Sequence, residues 1–183
     1  MMKFSSVSDY LEALRAGRAS AILPLSLVAE HFDVTRAAID RMVNMEYLSS
    51  IKIGSSRFVD VQSLTKLEDK RRKDVEKVRK FLEERARAGQ HHIFYDPVMT
   101  SIGRSWKVPA DRTYIGKVLG DISTSTEREN GTLLTVLVHR KTLGKTRPGP
   151  GFFGLAKSFD RKWKNEDEFI EEETRRVLRQ YKR

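Results

Sequence analysis

Cysteine does not occur in the 183-residue sequence, and its absence removes several classes of site at once. Without thiols the chain can form no disulfide framework, no thiolate metal site and no cysteine nucleophile. Long apolar runs are also missing, because none approaches the roughly 20 residues that a membrane-spanning helix needs. The first residues lack the basic-then-apolar pattern of a secretory signal. Together these absences predict a cytoplasmic protein without a membrane partner.

Acidic residues are the scarcer charged class: 25 Asp and Glu stand against 35 Lys and Arg, which gives a net charge of +10. Such an excess favours a polyanionic partner, most simply nucleic acid. The excess is uneven, since residues 1–68 contain 8 basic and 8 acidic side chains, residues 69–91 contain 9 and 5, and residues 92–164 contain 13 and 6. We therefore expect the middle and C-terminal parts to contact phosphate as well.

The most strongly patterned stretch covers residues 23–64. Two short helices with apolar faces are predicted on either side of the turn 33–35, where Thr35 can accept a hydrogen bond from the second helix. That second helix, from Arg36 to about Met45, has apolar residues at helical spacing on its inner side. Residues 51–53 and 57–59 are then predicted to be two strands around the small-residue turn 54–56.

This order of helix, tight turn, helix and hairpin resembles the winged helix-turn-helix of excisionase-like and MerR-like bacterial DNA-binding proteins. The similarity covers about a quarter of the chain and is carried by Val28, Ala29, residues 34–39, Tyr47, Leu48, the hairpin 51–59, and residues 62–64. It implies that the second helix lies in the major groove and that the hairpin, or wing, contacts the backbone or the minor groove. It also implies a nucleoid-associated protein of bacterial, plasmid or phage origin that regulates transcription, excision or segregation.

By this resemblance two sets of residues face double-stranded DNA. The recognition-helix set is Thr35, Arg36, Ala37, Asp40, Arg41 and Asn44, and the wing set is Lys52, Ser55, Ser56 and Arg57. Arg36 and Arg41 can each bind a guanine edge through two hydrogen bonds, and Asn44 can bind adenine. The alternative is an adaptor, in which the helix pair and hairpin contact a protein and these polar side chains are merely solvated.

Composition divides the rest of the chain into further segments of a mostly helical α+β fold. The predicted parts are a winged helix-turn-helix domain at 1–66, a charged linker helix at 67–90, a basic α+β domain at 91–164 and a C-terminal helix at 165–183. The linker and the C-terminal helix each have a narrow apolar stripe. Such stripes favour either a homodimer seam or packing of each helix on its own domain. Asn165 is the expected cap of the C-terminal helix.

The segment 91–164 is predicted to form a second, winged-helix-like unit. Its most apolar run, 132–139, is expected to be a buried strand, and a basic loop rich in glycine and proline follows at 140–151. The loop residues expected to contact DNA phosphate are Arg140, Lys141, Lys145 and Arg147. Gly116 and Gly120, four residues apart on a predicted helix, indicate either a kink or a close approach by another backbone or by DNA.

Catalytic motifs are weak in this sequence. Gly144, Lys145 and Thr146 match the end of a phosphate-binding loop, but His139 occupies the position where that motif needs a glycine, so nucleotide hydrolysis is rejected. Adjacent His91 and His92 point in different directions on any regular element. We therefore expect no cofactor, no metal, no catalytic residue and no small-molecule substrate.

A metal-dependent DNA nuclease remains the enzymatic alternative. It would need carboxylates that converge on a magnesium ion near a lysine. Carboxylates precede the apolar run at Asp96, Asp121, Glu127 and Glu129. However, His139 stands two residues before Lys141, where a nuclease strand normally carries a carboxylate. Finally, Trp106 and Trp163 neighbour lysines and can stack on bases, although aromatic side chains are more often buried.

Overall fold

The computed structural model describes residues 2–142 and 144–182, with the side chains of Thr142 and Lys145 excepted. The fold is α+β and mostly helical, as the sequence predicts, with 61% of the described residues in helix. The described part contains eight α-helices and two small mixed sheets. The chain forms two compact units, Met1–Arg71 and Arg72–Arg183, which are called unit 1 and unit 2 below.

Unit 1 contains a four-stranded sheet and three complete helices in its described part. Its elements are β1 (Met2–Phe4), α1 (Val7–Arg15), β2 (Ile22–Pro24), α2 (Leu25–His31), α3 (Arg36–Asn44), β3 (Ser50–Ile53), β4 (Ser56–Asp60) and the beginning of α4 (Val61–Arg87). The sheet order is β1-β3-β4-β2. Strands β3 and β4 form the predicted hairpin, β2 pairs antiparallel with β4, and β1 pairs parallel with β3. The sequence did not predict β1 or β2.

The core of unit 1 lies between the sheet and the α2–α3 pair. Its buried members are Leu25, Val28, Ala29, Ile39, Leu48, Val59 and Leu64. Ile39 is completely buried on α3, and Met42 and Val43 are half-buried beside it, as the helical spacing predicts. The apolar face of α3 is buried in this core, so the polar side chains of the helix lie on its opposite face.

The sequence predicts a packing helix over 7–15, with Ser8 as its cap and with Tyr10, Leu11 and Leu14 on its packed face. Helix α1 has these bounds but a different cap and a different packed face. Its cap is Ser6, whose hydroxyl accepts a hydrogen bond from the Asp9 N–H while the Asp9 carboxylate accepts from the Ser6 N–H. Tyr10 and Ala13 are buried, whereas Leu11 and Leu14, predicted on the packed face, are exposed. Two overlapping apolar stripes run along this short helix, and the position of the sheet determines which of them is buried.

Helix α4 supplies apolar side chains to both cores. Leu64 and Leu67 pack in unit 1, and Val78, Leu82 and Ala86 are completely buried in unit 2. The same stripe suggested a dimer seam in the sequence. Its residues from Val78 onward contribute to the core of unit 2.

Unit 2 surrounds its core with helices and a three-stranded sheet. Its elements are the remainder of α4, β5 (Ile93–Phe94), α5 (Tyr95–Thr100), α6 (Pro109–Asn130), a 3-10 helix (Leu134–Leu137), β6 (Val138–Thr142), β7 (Lys145–Pro148), α7 (Pro150–Ser158) and α8 (Glu166–Tyr181). Strand β5 pairs parallel with β6, and β6 and β7 form an antiparallel hairpin. The hairpin follows α5, α6 and the 3-10 helix, and the sheet pairing differs from that of unit 1.

The buried strand predicted for 132–139 is wrong over most of its length. Residues 134–137 form the 3-10 helix, and the strand begins only at Val138. Strand β5 offers only two partner residues, so a longer strand would leave buried backbone groups unpaired. The 3-10 turn satisfies part of this need internally, since the Val136 N–H donates to the Leu133 carbonyl at 2.9 Å.

Helix α8 closes the core of unit 2. Asn165 caps it as predicted, with its side-chain oxygen accepting from the Asp167 N–H at 2.9 Å. Phe169, Val177 and Leu178 are buried on its inner face, so the apolar stripe of the C-terminal helix also lies in a core. Glu173 is buried among them, and its carboxylate accepts the Leu133 N–H at 2.7 Å.

Candidate nucleic-acid interface

The outer face of α3 presents the residues that the sequence assigned to base recognition. Thr35 caps the helix, because its hydroxyl accepts the Ala38 N–H at 3.2 Å. Beyond it Arg36, Ala37, Arg41 and Asn44 are exposed and Asp40 is half-exposed. Asp33 adopts φ 51°, a left-handed conformation that closes the short turn between α2 and α3. The turn and the cap together define where this exposed face begins.

Arg57 connects the hairpin to α3. It lies on β4, with its Nη1 at 3.6 Å from Asp40 Oδ1 and donating to Asn44 Oδ1 at 3.4 Å. The wing residue Arg57 and the helix residues Asp40 and Asn44, each predicted to touch DNA, therefore also touch one another. Because the pair is well exposed, we expect only about 0–1 kcal/mol of folding stability from it. Its main consequence is that the Asp40 charge is compensated.

The tip of the hairpin is supported by a strand that the sequence did not reveal. The Gly54 N–H donates to the Phe4 carbonyl of β1 at 3.0 Å, and β1 pairs with β3 as far as Ile53. Ser55 and Ser56 are exposed at this tip, and Lys52 is half-buried on β3. The predicted wing contacts thus lie on a hairpin that is paired along its outer edge.

The predicted basic loop of unit 2 is a hairpin over most of its length. Arg140 and Lys141 are exposed on β6, and Arg147 lies opposite Arg140 on β7. Arg147 forms an ion pair with Glu166 and lies over the Phe153 ring, 5.3 Å from its centre. The side chain of Lys145 lies outside the described part of the structure. Arg140 and Lys141 are therefore the described cations of this set that face solvent most openly.

Beside these two cations lies a pocket of about 330 Å³ that the sequence did not predict. Its lining, called the aromatic–basic pocket below, consists of Phe94, Tyr95, Asp96, Pro97, Trp106, His139, Arg140 and Lys141. The rings of Tyr95 and Trp106 lie 5.1 Å apart, and Lys141 Nζ lies 5.0 Å from the centre of the Phe94 ring. Of the two tryptophans considered for base stacking, Trp106 is 40% exposed. Trp163 instead stacks on Phe169 at 4.4 Å.

His139 is buried at the edge of this pocket and stacks on His92, with ring centres 5.5 Å apart. Burial and, secondly, the neighbouring His92 lower the pKa of His139 to about 4, although hydrogen bonds with the Val136 and Thr146 backbones act in the opposite direction. His139 is therefore neutral at pH 7. The formal charge of the pocket comes from Arg140, Lys141 and Asp96.

Gly116 and Gly120 do not mark a close approach of another backbone, so that alternative is wrong. A Cβ atom built on either glycine would meet nothing within 4 Å. Both glycines line a second pocket of about 200 Å³ together with Gly151 and Phe152. A Cβ atom on Gly151 of α7 would likewise meet nothing within 4 Å, so the space beside these glycines is open.

Within residues 2–142 and 144–182, no three His, Asp or Glu side chains lie close enough together to hold a metal ion. None of the described helices has both the length and the apolar character needed to cross a membrane. No protein-family model, curated protein or solved structure matches the chain. The resemblance to winged helix-turn-helix proteins therefore stays a prediction from the residues that carry it.

Proposed function

We propose that unit 1 binds double-stranded DNA sequence-specifically, with α3 in the major groove and the β3–β4 hairpin beside it as a wing. The observation that carries this proposal is the arrangement of α2, α3 and the hairpin. Strand β2 pairs antiparallel with β4, α2 and α3 lie between β2 and β3 in the chain, and the outer face of α3 exposes Arg36 and Arg41. Helix-turn-helix proteins place such a second helix in the groove.

Arg36 and Arg41 are the residues best suited to read bases. Both are exposed on α3, and the Arg41 Nε–H donates to the Ala37 carbonyl one turn earlier at 3.4 Å. A guanidinium can donate two parallel hydrogen bonds to the O6 and N7 atoms of guanine. Each such contact contributes about 1–3 kcal/mol of discrimination against the wrong base.

Asn44 is coupled to Arg57 in this mechanism. A carboxamide that reads adenine uses both its oxygen and its nitrogen. In the free protein the Asn44 oxygen accepts a hydrogen bond from Arg57. Because a carboxamide oxygen has two acceptor sites, Asn44 can keep the bond from Arg57 while it reads adenine, and Arg57 would then hold the carboxamide in orientation.

Unit 2 contributes positive charge that would strengthen the binding of DNA. Residues 92–164 contain 13 basic and 6 acidic side chains, whereas residues 1–68 are balanced. Arg140, Lys141, Lys145 and Arg147 would contact phosphate without reading sequence. The protein would serve transcriptional control, excision or segregation in a bacterial, plasmid or phage setting. It would need no cofactor and would leave the DNA covalently unchanged.

The test begins with selection of bound sequences from a random duplex pool. On the selected site Arg36→Ala and Arg41→Ala should each reduce affinity by about 5- to 150-fold and relax the preference at one position. Arg15→Ala removes an exposed arginine from α1 and should leave site preference unchanged. If the α3 variants weaken all duplexes equally, α3 is not the recognition helix.

A nuclease would be recognised by its product. Supercoiled plasmid incubated with the protein and magnesium or manganese should remain intact. Nicked or linear plasmid that appears in proportion to protein would contradict the proposed non-catalytic function.

An adaptor would be recognised by its response to salt. Duplex affinity should fall steeply between two salt concentrations, because bound counterions are released when phosphates are contacted. An affinity that does not depend on salt would favour the adaptor.

A further inference from the structure

We propose that the aromatic–basic pocket of unit 2 binds an unpaired nucleotide of single-stranded DNA, with the base against the aromatic side chains and a phosphate on Arg140 and Lys141. This site lies on a different unit from α3 and would bind a different form of DNA, and it shares Arg140 and Lys141 with the phosphate contacts proposed for duplex DNA. It goes beyond duplex recognition and does not depend on it.

The aromatic side of the pocket offers a surface for a base. Phe94, Tyr95 and Trp106 line it together, and Trp106 is 40% exposed although it is the largest type of side chain. Arg112 steadies this tryptophan, since its Nη1 donates to the Trp106 carbonyl at 2.8 Å and its guanidinium lies 5.7 Å from the ring centre. Stacking of one base on an aromatic side chain contributes about 1–3 kcal/mol.

The basic side of the pocket is suited to a phosphate. Arg140 and Lys141 are adjacent and exposed on β6, and neither forms an ion pair within the described part of the structure. By contrast, Arg147 is paired with Glu166 and Arg104 with Asp111 at 2.6 Å. The two pocket cations thus have no carboxylate partner among the described residues and can contact an anion, with Lys141 lying over the Phe94 ring. Asp96 is the carboxylate of the lining, and it can accept a hydrogen bond from an N–H group of a base.

The size of the pocket favours an unpaired nucleotide over a duplex. A volume of about 330 Å³ is at the lower end of ligand pockets, which range over roughly 300–1,000 Å³. Bases within a duplex are stacked and paired, so their faces cannot reach an aromatic side chain in a pocket. A single strand presents both the base face and the phosphate at no unpairing cost.

Tryptophan fluorescence can report on the site because the chain has only two tryptophans. The Trp163→Phe variant leaves Trp106 as the reporter, and the matched Trp106→Phe variant leaves Trp163, which stacks on Phe169 away from the pocket lining. A thymidine oligonucleotide of about fifteen residues should quench the first variant and leave the second unchanged. No quenching of Trp106 at any concentration would overturn the proposal.

Affinity measurements with a labelled oligonucleotide separate the pocket from general positive charge. The double variant Arg140→Ala/Lys141→Ala should weaken binding by about tenfold or more, and Trp106→Ala by about 5- to 150-fold. The matched control Lys162→Ala/Lys164→Ala removes the same charge from an exposed segment outside the pocket and should have a smaller effect. Equal losses in the two double variants would show that only charge is read and would overturn the proposal.

Three competitors identify the ligand. A duplex of the same length can contact Arg140 and Lys141 but cannot stack a base on Trp106, so it should quench Trp106 much less than the single strand does. Quenching equal to that by the single strand would overturn the proposal. Thymidine monophosphate that binds as tightly as the oligonucleotide would make a free nucleotide the ligand and overturn the strand proposal. A uridine oligonucleotide that binds at least about tenfold more tightly would reassign the site to RNA.

A variant of α3 separates this site from the duplex-reading helix. The Arg36→Ala/Arg41→Ala variant should bind the thymidine oligonucleotide as tightly as the unmodified chain does.

Discussion

Arg57 shows how one side chain can alter the properties of a predicted interface. The sequence places it in the wing, where a DNA phosphate is the expected partner. In the folded unit it lies beside Asp40 and Asn44 of α3. An isolated carboxylate on a recognition helix repels phosphate, so the contact makes the α3 face more acceptable to DNA than its composition suggests.

We predict a dependence of duplex affinity on this pair. Arg57→Ala leaves Asp40 uncompensated and should reduce affinity by roughly 30-fold, near the middle of the about 1–3 kcal/mol expected for a lost DNA contact. Asp40→Ala added to Arg57→Ala should recover part of that loss, because the repelling charge is gone. Titration of one duplex with both single variants and the double variant measures the coupling. An additive result would show that Asp40 and Arg57 act independently on DNA.

His139 makes the stability of unit 2 depend on pH. Its pKa is lowered to about 4 in the folded protein, mainly by burial, against an ordinary value of 6.5. Between these two values the unfolded chain binds a proton that the folded chain does not. The stabilising contribution is therefore complete above about pH 6.5 and is lost as pH falls toward 4, by up to about 1.4 kcal/mol per pH unit.

Denaturation followed by tryptophan fluorescence tests this prediction, because both tryptophans belong to unit 2. His139→Gln cannot titrate, so its unfolding free energy should fall less between pH 7 and about pH 4.5 than that of the unmodified chain. The two proteins differ only at position 139, so the difference between their curves reports the effect of that side chain. Parallel curves for the two proteins would show that His139 does not cause the dependence.

At the scale of the element, α3 depends on its first turn. Thr35 accepts the Ala38 N–H, which would otherwise lack a partner at the helix N-terminus. Thr35→Ala should destabilise unit 1 by about 0.5–2 kcal/mol, whereas Thr35→Ser keeps the hydroxyl and should leave the stability nearly unchanged, because serine is at least as good a cap as threonine. Circular dichroism during chemical denaturation without DNA measures the difference. Equal losses in the two variants would show that the hydroxyl does not provide the stabilisation.

Elements with a local signal were predictable. Helix α1 has its predicted bounds, α3 starts after its predicted cap, and α8 starts after Asn165 as expected. Strands β1 and β2 were missed because each has three residues, too few for an alternating pattern. Their hydrogen-bond partners lie in β3 and β4, far along the chain. The strand prediction for the apolar run at 132–139 was wrong for a related reason, since a buried 3-10 helix and a buried strand can have the same apolar composition.

At the scale of the whole molecule, charge and predicted base recognition lie in different parts of the chain. Residues 1–68 are electrically balanced, and the excess of basic residues falls at 69–164. If α3 selects the site while the basic segments contact phosphate, sequence preference and salt dependence are separable properties. Phosphate contacts contribute affinity that does not depend on sequence.

We predict that Lys145→Ala and Arg147→Ala weaken binding to all duplexes alike. Each lost phosphate contact should reduce the slope of log affinity against log salt by about 0.9. Arg36→Ala should instead weaken the selected site more than unrelated duplexes. Titrations of the full chain on both kinds of duplex over a range of salt concentrations distinguish the two behaviours. An unchanged slope in the Lys145 and Arg147 variants would remove this hairpin from the DNA interface.

Local chemistry in the sequence determined the mostly helical α+β class, the capped helices and the positive charge, because each depends on residues close together in the chain. Tertiary structure alone decided the pairing of Arg57 with α3, the burial of His139 and the aromatic–basic pocket. That pocket combines residues 94–97 and 106 with residues 139–141, which meet only after β5 pairs with β6. These contacts join segments that are distant in the chain and that come together only when the core is buried. No short stretch of sequence contains both partners of such a contact.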